Sequence, residues 1–361
     1  VTARLVILAA GGTGGHVFPA EALAGALAAR GFRLALVTDD RGSAYGGTLG
    51  TLETYRLPIR KMTGTLLRRL IGAASLLPGY LAARRLLAKL KPAAVVGFGG
   101  YPSLPTMFAA APKGRTAIHE QNAILGRVNR LVAGRVDTVA TSFAETKGVG
   151  ANAVLVGNPV RAAVQALRDN AYAPPATGEK LRLLVTGGSQ GASVFGRVVP
   201  AALALLSPEQ RQRISIVQQT RAEDAETVQT HYRTLGLEAT VAPFFADLPQ
   251  RMADAHLVIA RAGASTVAEL ACIGRPALLV PYMHATDDHQ TANAQALAAT
   301  GAAWLIPEPQ FSADDLAARL SNLLAASSPL GEMAKAAHGF GRSDAAERLA
   351  DLVQRLAEGT R

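Results

Sequence analysis

The chain has 361 residues, 49% of them hydrophobic, with a net charge of +10 and one cysteine, Cys272. That length calls for two cores rather than one, and a lone cysteine excludes a disulfide scaffold and suits a reducing compartment. No apolar run reaches the roughly 18 to 20 residues needed to span a bilayer. With no secretory signal recognised ahead of the first apolar run, a cytoplasmic setting is expected.

In chain order, "RLVILAA" reads as a buried strand, and "GGTGGHVFPAEALAGALAAR" carries a glycine loop into a helix. Glycines let backbone N–H groups approach an anion, and the following helix adds partial positive charge at its start. Pro19 suits a first helical turn, and Leu23 and Leu27 mark the buried face. Read as a dinucleotide fingerprint, the loop places Val17 where the third glycine belongs. Further strands are expected at "RLALVTDD", "AAVVGFGG", "TAIHEQN", "TVATS" and "AVLVGNP". Strands alternating with alanine- and leucine-rich helices indicate a parallel sheet covered on both faces.

The charge is unevenly placed. Residues 54 to 119 hold no Asp or Glu and eleven Lys or Arg. Within them, "RKMTGTLLRRLIGAASLLPGYLAARRLLAKLK" (60–91) joins leucines to the paired arginines Arg68, Arg69, Arg84 and Arg85. That composition suits docking on an anionic membrane surface, with Pro78 and Gly79 dividing it into two short helices. One aromatic and no recognised motif argue against nucleic acid.

After "RDNAYAPPATGEK" the pattern restarts with "LRLLVTGGSQGASVFGRVV", "ISIVQQ", "ATVAPFF", "LVIARAGAS" and "PALLVPY". The boundary is expected between Asn158 and Lys180. Three Gly-Gly turns, at residues 11–15, 99–100 and 187–188, would face a common cleft at strand carboxyl ends, where α/β proteins bind ligands. His119, Glu120, Gln121 and Asn122 follow a strand and would be costly as core, so they read as a site or a solvated loop. Glu269 lies early in the helix opened by Gly263 to Thr266, either complementing its dipole or accepting from a ribose diol. His284, Asp287, Asp288, His289, Gln290 and Asn293 cluster without a metal-ligand spacing, and there is no D-x-D triplet. Neither a metal nor another cofactor is expected.

The segments "GGTGGHVFPA", "FGGYPS", "HEQN", "GNPVR", "GGSQGA", "GASTVAEL" and "DDHQTANA" stand in the order found in the bacterial MurG transferases, and the chain resembles that family over nearly its whole length. The resemblance implies an α/β GT-B fold, two Rossmann-like domains facing each other across a cleft. Residues 1–160 would form an acceptor and membrane-docking domain, with helix 343–361 packing back on it, and 161–342 a UDP-sugar domain. It further implies inverting transfer of N-acetylglucosamine from UDP-N-acetylglucosamine to the C4 hydroxyl of the muramoyl sugar of undecaprenyl-diphosphate-linked pentapeptide (lipid I), giving lipid II. The setting would be peripheral, on the cytoplasmic face of the bacterial inner membrane.

By position in the motifs, Thr13, Gly14, Gly15 and Asn122 would bind the donor, with Arg161 and Ser189 near the diphosphate. Ala264, Ser265, Thr266 and Glu269 would form the nucleotide helix start, Glu269 meeting the ribose, and Gln290 would contact the sugar. Phe245 stands where the family often has an aliphatic residue, so only a backbone contact to uracil is carried over. His16 is the leading general base, Glu120 the alternative, and Tyr101 and Asn122 positioning groups. Two other classes compete. One is a Rossmann oxidoreductase resting on Gly12, Gly14 and Asp39, and the other a non-catalytic lipid-surface binder resting on the basic stretch.

Overall fold

The computed structural model describes residues 3–11, 14–39, 47–59, 74–176, 178–188, 191–326 and 328–359. The chain divides into two compact units, Val1–Arg161 with Arg342–Arg361, and Ala162–Gly341. Each is a parallel sheet wrapped in helices, so Arg161 belongs to the first unit.

The first sheet holds β1 (Leu5–Ala9), β2 (Arg33–Asp39), β3 (Glu53–Leu57), β4 (Ala94–Gly97), β5 (Thr116–Glu120), β6 (Thr138–Thr141) and β7 (Ala153–Leu155), in the order β3-β2-β1-β4-β5-β6-β7. β1, β4 and β5 are buried along their whole length, because helices cover both faces. Strand order reverses between β1 and β4, and at such a switch point the loops at the carboxyl ends part to leave a crevice. Phe98 N–H donates to the carbonyl of Ala9 at 3.0 Å, which brings the loop after β4 beside the one after β1. A Cβ on Gly11 would lie 2.8 Å from Thr38 Oγ1 and 2.9 Å from Pro102 Cγ, so glycine is required for that approach.

The second sheet repeats the scheme with β8 (Leu181–Thr186), β9 (Ile214–Gln219), β10 (Ala239–Ala242), β11 (Leu257–Ala260), β12 (Ala277–Leu279) and β13 (Ala303–Leu305), in the order β10-β9-β8-β11-β12-β13. Its switch point lies between β8 and β11. The last helix, Ala345–Glu358, packs on the first unit: Leu349, Leu352 and Val353 join Val6, Leu8, Leu23 and Leu27 in one buried cluster. Full burial of each of these three side chains contributes roughly 1.5–3 kcal/mol. Arg30 adds ion pairs to Glu347 at 2.5 Å and Asp351 at 2.7 Å.

Two local expectations change. Pro19 lies inside the helix Gly14–Ala29, which begins earlier than the proline suggests. Pro78 and Gly79 sit in the first turn of the helix Leu76–Leu90, where a missing N–H costs little. Residues 60–73, with Arg68 and Arg69, lie outside the described residues. The strands β3 and β13 were not anticipated, and they make "GFGG" follow the fourth strand rather than the third.

Candidate active site

In the first unit, the helix Gly14–Ala29 starts at the end of β1 and carries His16 in its first turn. The half-buried His16 holds Nδ1 3.1 Å from Gln121 Oε1. Its ring lies against the turn after β4. A Cβ on Gly99 would be 3.3 Å from His16 Cε1, and one on Gly100 3.3 Å from Cδ2. Both glycines have positive φ, +83° and +73°, so this turn is open to glycine on conformational as well as steric grounds.

Gln121 passes the contact inward. Its Nε2 lies 3.1 Å from the Phe98 carbonyl, 3.0 Å from the His119 carbonyl and 3.1 Å from His119 Nδ1. His119 is fully buried, with Nε2 3.0 Å from the Gly157 carbonyl. Burial pushes its pKa down to about 4, with the neighbouring His16 adding to the effect and the Gly157 carbonyl opposing it. His119 therefore stays neutral at ordinary pH.

Glu120, the other candidate base, points elsewhere. Buried at the end of β5, its Oε1 accepts from Asn122 N at 3.0 Å and Asn122 Nδ2 at 3.2 Å. Its Oε2 accepts from Gly126 N and Asn129 Nδ2, both at 2.8 Å. The carboxylate thus ties residues 120–129 into one loop and places Asn122 beside it. Tyr101 opens the short helix Tyr101–Ser103 and packs partly on the core. Arg161 lays its guanidinium over the Phe18 ring, 4.8 Å from the centroid. Gly14 abuts that same ring, since a Cβ there would sit 3.0 Å from Phe18 Cε2, and Gly15 follows it in the first helical turn. Thr13 lies outside the described residues.

In the second unit, Gly187 makes the tight turn after β8, where a Cβ would meet Ala192 N at 2.3 Å. Ser189 lies outside the described residues. Gly263 caps the helix Ala264–Ile273 with extended backbone, so the N–H groups of Ala264, Ser265 and Thr266 end the helix without a side-chain cap. Ser265 Oγ is buried with no hydrogen-bond partner among the described residues. Glu269 lies deeper in the same helix and is buried. Gln290 accepts from Tyr282 N at 2.9 Å, which shapes the loop after β12. Phe245 is buried beneath Arg251, 4.4 Å from its guanidinium carbon, so its side chain serves packing. Its neighbour Phe244 is the exposed ring.

Sequence reasoning passed over the pair that organises this region. Arg261 forms a two-pronged pair with Glu308, 2.9 and 3.0 Å, and also donates to the carbonyls of Val280 and Pro281. Glu308 accepts from Met283 N at 3.1 Å as well. Burial works to raise the Glu308 carboxyl, but the Arg261 and Met283 hydrogen bonds outweigh it and hold the group below the usual range. Arg261 and Glu308 lie 47 residues apart with no shared motif, so only the fold could join them. Asn129 was also missed.

Comparison with known proteins bears on both units. The glycosyltransferase family 28 N-terminal domain matches residues 6–141, and its C-terminal domain residues 182–349. A UDP-N-acetylglucosamine–N-acetylmuramyl-(pentapeptide) pyrophosphoryl-undecaprenol N-acetylglucosamine transferase of Rhodospirillum centenum is 56% identical, over 96% of this chain and 93% of its own. One of the same name from Paramagnetospirillum magneticum is also 56% identical, over 97% and 96%. The crystal structure of Acinetobacter baumannii MurG superposes with a TM-score of 0.81 at 31% identity, covering 98% of this chain and 99% of that one. Two Rossmann-like units of this kind make a GT-B fold, and the chain belongs to the family 28 glycosyltransferases, in the MurG group of N-acetylglucosamine transferases.

Proposed function

We infer that the chain transfers N-acetylglucosamine from UDP-N-acetylglucosamine to the C4 hydroxyl of the muramoyl sugar of lipid I, inverting the anomeric carbon and yielding lipid II for peptidoglycan synthesis. Identity of 56% over both units to transferases of that name supports the reaction. Neither the oxidoreductase nor the lipid-surface binder accounts for that likeness. The observation that carries the chemistry is the contrast between His16 and Glu120. His16 Nε2 has no hydrogen-bond partner among the described residues, whereas both oxygens of Glu120 are occupied. A base must reach the proton it removes, so His16 takes that role and Glu120 and Asn122 shape the loop around it. Tyr101, next to the Gly99–Gly100 turn, is assigned to positioning the acceptor.

UDP is assigned to the second unit. The N–H groups at the start of the helix Ala264–Ile273, which carry no side-chain cap among the described residues, suit the leaving diphosphate together with Ser265 Oγ and Thr266, and Ser189 joins them. Glu269 meets the ribose, Gln290 the sugar and the Phe245 backbone the uracil. Arg161 faces the diphosphate. Thr13, Gly14, Gly15 and Asn122 make room for the sugar and the acceptor's diphosphate.

The lipid acceptor calls for peripheral docking on the cytoplasmic face of the inner membrane. Among the described residues no helix is long and apolar enough to cross a bilayer. The helix Leu76–Leu90 exposes Leu77 at 65% and Leu81 at 41%, beside Arg84 and Arg85. Leu76, Leu77, Tyr80 and Phe108 line a groove of about 690 Å³ that includes Arg135. Exposed leucines flanked by arginines fit an anionic leaflet.

The test is steady-state transfer by His16→Ala at saturating donor and acceptor. The expected result is a fall in kcat of roughly 10²–10⁴-fold with UDP affinity retained. Unchanged kcat would remove His16 from the chemistry.

A further inference from the structure

The Gln121 amide has one tenable orientation. Its Nε2 sits 3.1 Å from the Phe98 carbonyl and 3.0 Å from the His119 carbonyl, and both of these oxygens can only accept. Exchanging the amide's nitrogen and oxygen would set three oxygens against one another in a buried site. Oε1 therefore faces His16, and because Oε1 only accepts, His16 Nδ1 must carry a hydrogen. A neutral imidazole has one N–H, which leaves the lone pair on Nε2.

His119 reinforces this arrangement. Its Nε2 faces the Gly157 carbonyl at 3.0 Å and so carries the hydrogen, leaving Nδ1 to accept from Gln121 Nε2. Ser142 Oγ donates to the Glu120 carbonyl at 2.8 Å, so it places no competing hydrogen on His119. The chain of contacts runs in one sense, from His16 through Gln121 to His119 and the Gly157 carbonyl. The Gly99–Gly100 turn completes the arrangement from outside. Cε1 and Cδ2, the His16 atoms that a Cβ on these glycines would crowd at 3.3 Å, are the two that flank Nε2.

We propose that Gln121 is a positioning residue that holds His16 in its Nδ1–H tautomer, leaving Nε2 to accept the proton of the attacking hydroxyl, and that Gly99 and Gly100 keep that edge of the ring clear. The proposal rests on the reading of His16 as general base. In the step it describes, the acceptor oxygen bonds to the anomeric carbon as the bond from that carbon to the diphosphate oxygen breaks. The electron pair leaves on UDP, and the hydroxyl proton moves to Nε2. The resulting imidazolium keeps its Nδ1–H on Gln121 Oε1, so no hydrogen bond has to be remade as the charge forms.

The tautomer can be read directly. In the full chain labelled with ¹⁵N histidine, at a pH where histidine is neutral, His16 is identified as the ring signals lost in His16→Asn. The expected wild-type spectrum has a protonated Nδ1 and an unprotonated Nε2; the reverse overturns the proposal, and only the assigning variant His16→Asn has to fold. In Gln121→Leu the His16 signals should move toward a mixture of the two tautomers. Its kcat should fall by roughly tenfold with the KM for UDP-N-acetylglucosamine within about twofold, a part of the roughly 10²–10⁴-fold available to general base catalysis. An unmoved tautomer in a folded Gln121→Leu, or a changed tautomer with full kcat, would overturn it. The parent reading fails separately: it is lost if His16→Ala keeps its kcat, whatever tautomer the wild type holds.

Discussion

The two units share one topology and differ in what their strand ends hold. Around β4 and β5 of the first unit, neutral groups form a buried hydrogen-bonded chain that ends on a half-exposed imidazole. After β11 and β12 of the second unit, a charged pair, Arg261 and Glu308, ties down the loops and leaves the helix start at Ala264 with donors to offer. A neutral chain can set a tautomer without fixing a charge next to the base, whereas a charged pair fixes loop shape but would bias a neighbouring proton transfer. On the proposed reading, the same scaffold would supply proton chemistry in one unit and anion recognition in the other through its loops.

The largest effect that could break this comparison is His16→Ala. If its loss of turnover came with lost UDP binding in calorimetry, the division of labour would be wrong. The next is Glu308→Gln, which leaves the Arg261 guanidinium only 10% exposed and without its carboxylate. Breaking such a pair from one side should cost about 3–5 kcal/mol, seen as a lower midpoint in urea. Replacing both partners, Arg261→Met with Glu308→Leu, should cost less than Glu308→Gln alone. A single variant as stable as wild type would show that the pair does not hold this loop.

Much of the fold was legible because buried parallel strands are apolar throughout, and β1, β4 and β11 announce themselves that way. β3 and β13 escaped notice because both are edge strands with a single buried residue, Leu57 and Ala303. At the candidate site, the glycine loop, His16 and the "HEQN" run stood out as residue types in a row. Their division into roles did not, because it depends on what each side chain meets. Glu120 is engaged through Gly126 and Asn129, close in sequence, while Gln121 is oriented by the Phe98 carbonyl at the end of another strand. Polar residues in sequence mark a place, but carbonyls brought in by the sheet decide which one remains available.

Each unit also buries one histidine whose pKa is lowered to about 4. His119 owes this chiefly to burial. His256 owes it first to burial and then to the Arg182 charge, which outweighs the opposing Glu179, and its Nδ1 accepts from Arg182 N at 3.1 Å. Both folded values lie below the unfolded one, about 6.5, so between these limits the unfolded chain binds the extra protons. Stability is therefore complete above about pH 6.5, falls as pH drops toward 4 and then levels off. Between pH 7 and 5 each histidine should remove roughly 2 kcal/mol, and His119→Asn and His256→Asn should each flatten the urea-midpoint slope against pH. An unchanged slope in either variant would show that its histidine titrates normally.

The smallest effect concerns the docking proposed for the first unit on a membrane. The eleven basic residues between 54 and 119 all belong to that unit, and Arg84 and Arg85 stand on the helix that exposes Leu77 and Leu81. Near an anionic surface each basic residue contributes about 1 kcal/mol, and salt weakens it within a Debye length. Arg84→Glu with Arg85→Glu should weaken cosedimentation with anionic vesicles by at least tenfold and leave binding to neutral vesicles unchanged. As a matched control, Arg213→Glu with Arg233→Glu in the second unit should change neither. If the second-unit pair weakened binding as much, attraction would follow total charge and the helix would lose its special role. If neither pair mattered, the exposed leucines would have to hold the protein by themselves, and Leu77→Asp would then produce the larger loss.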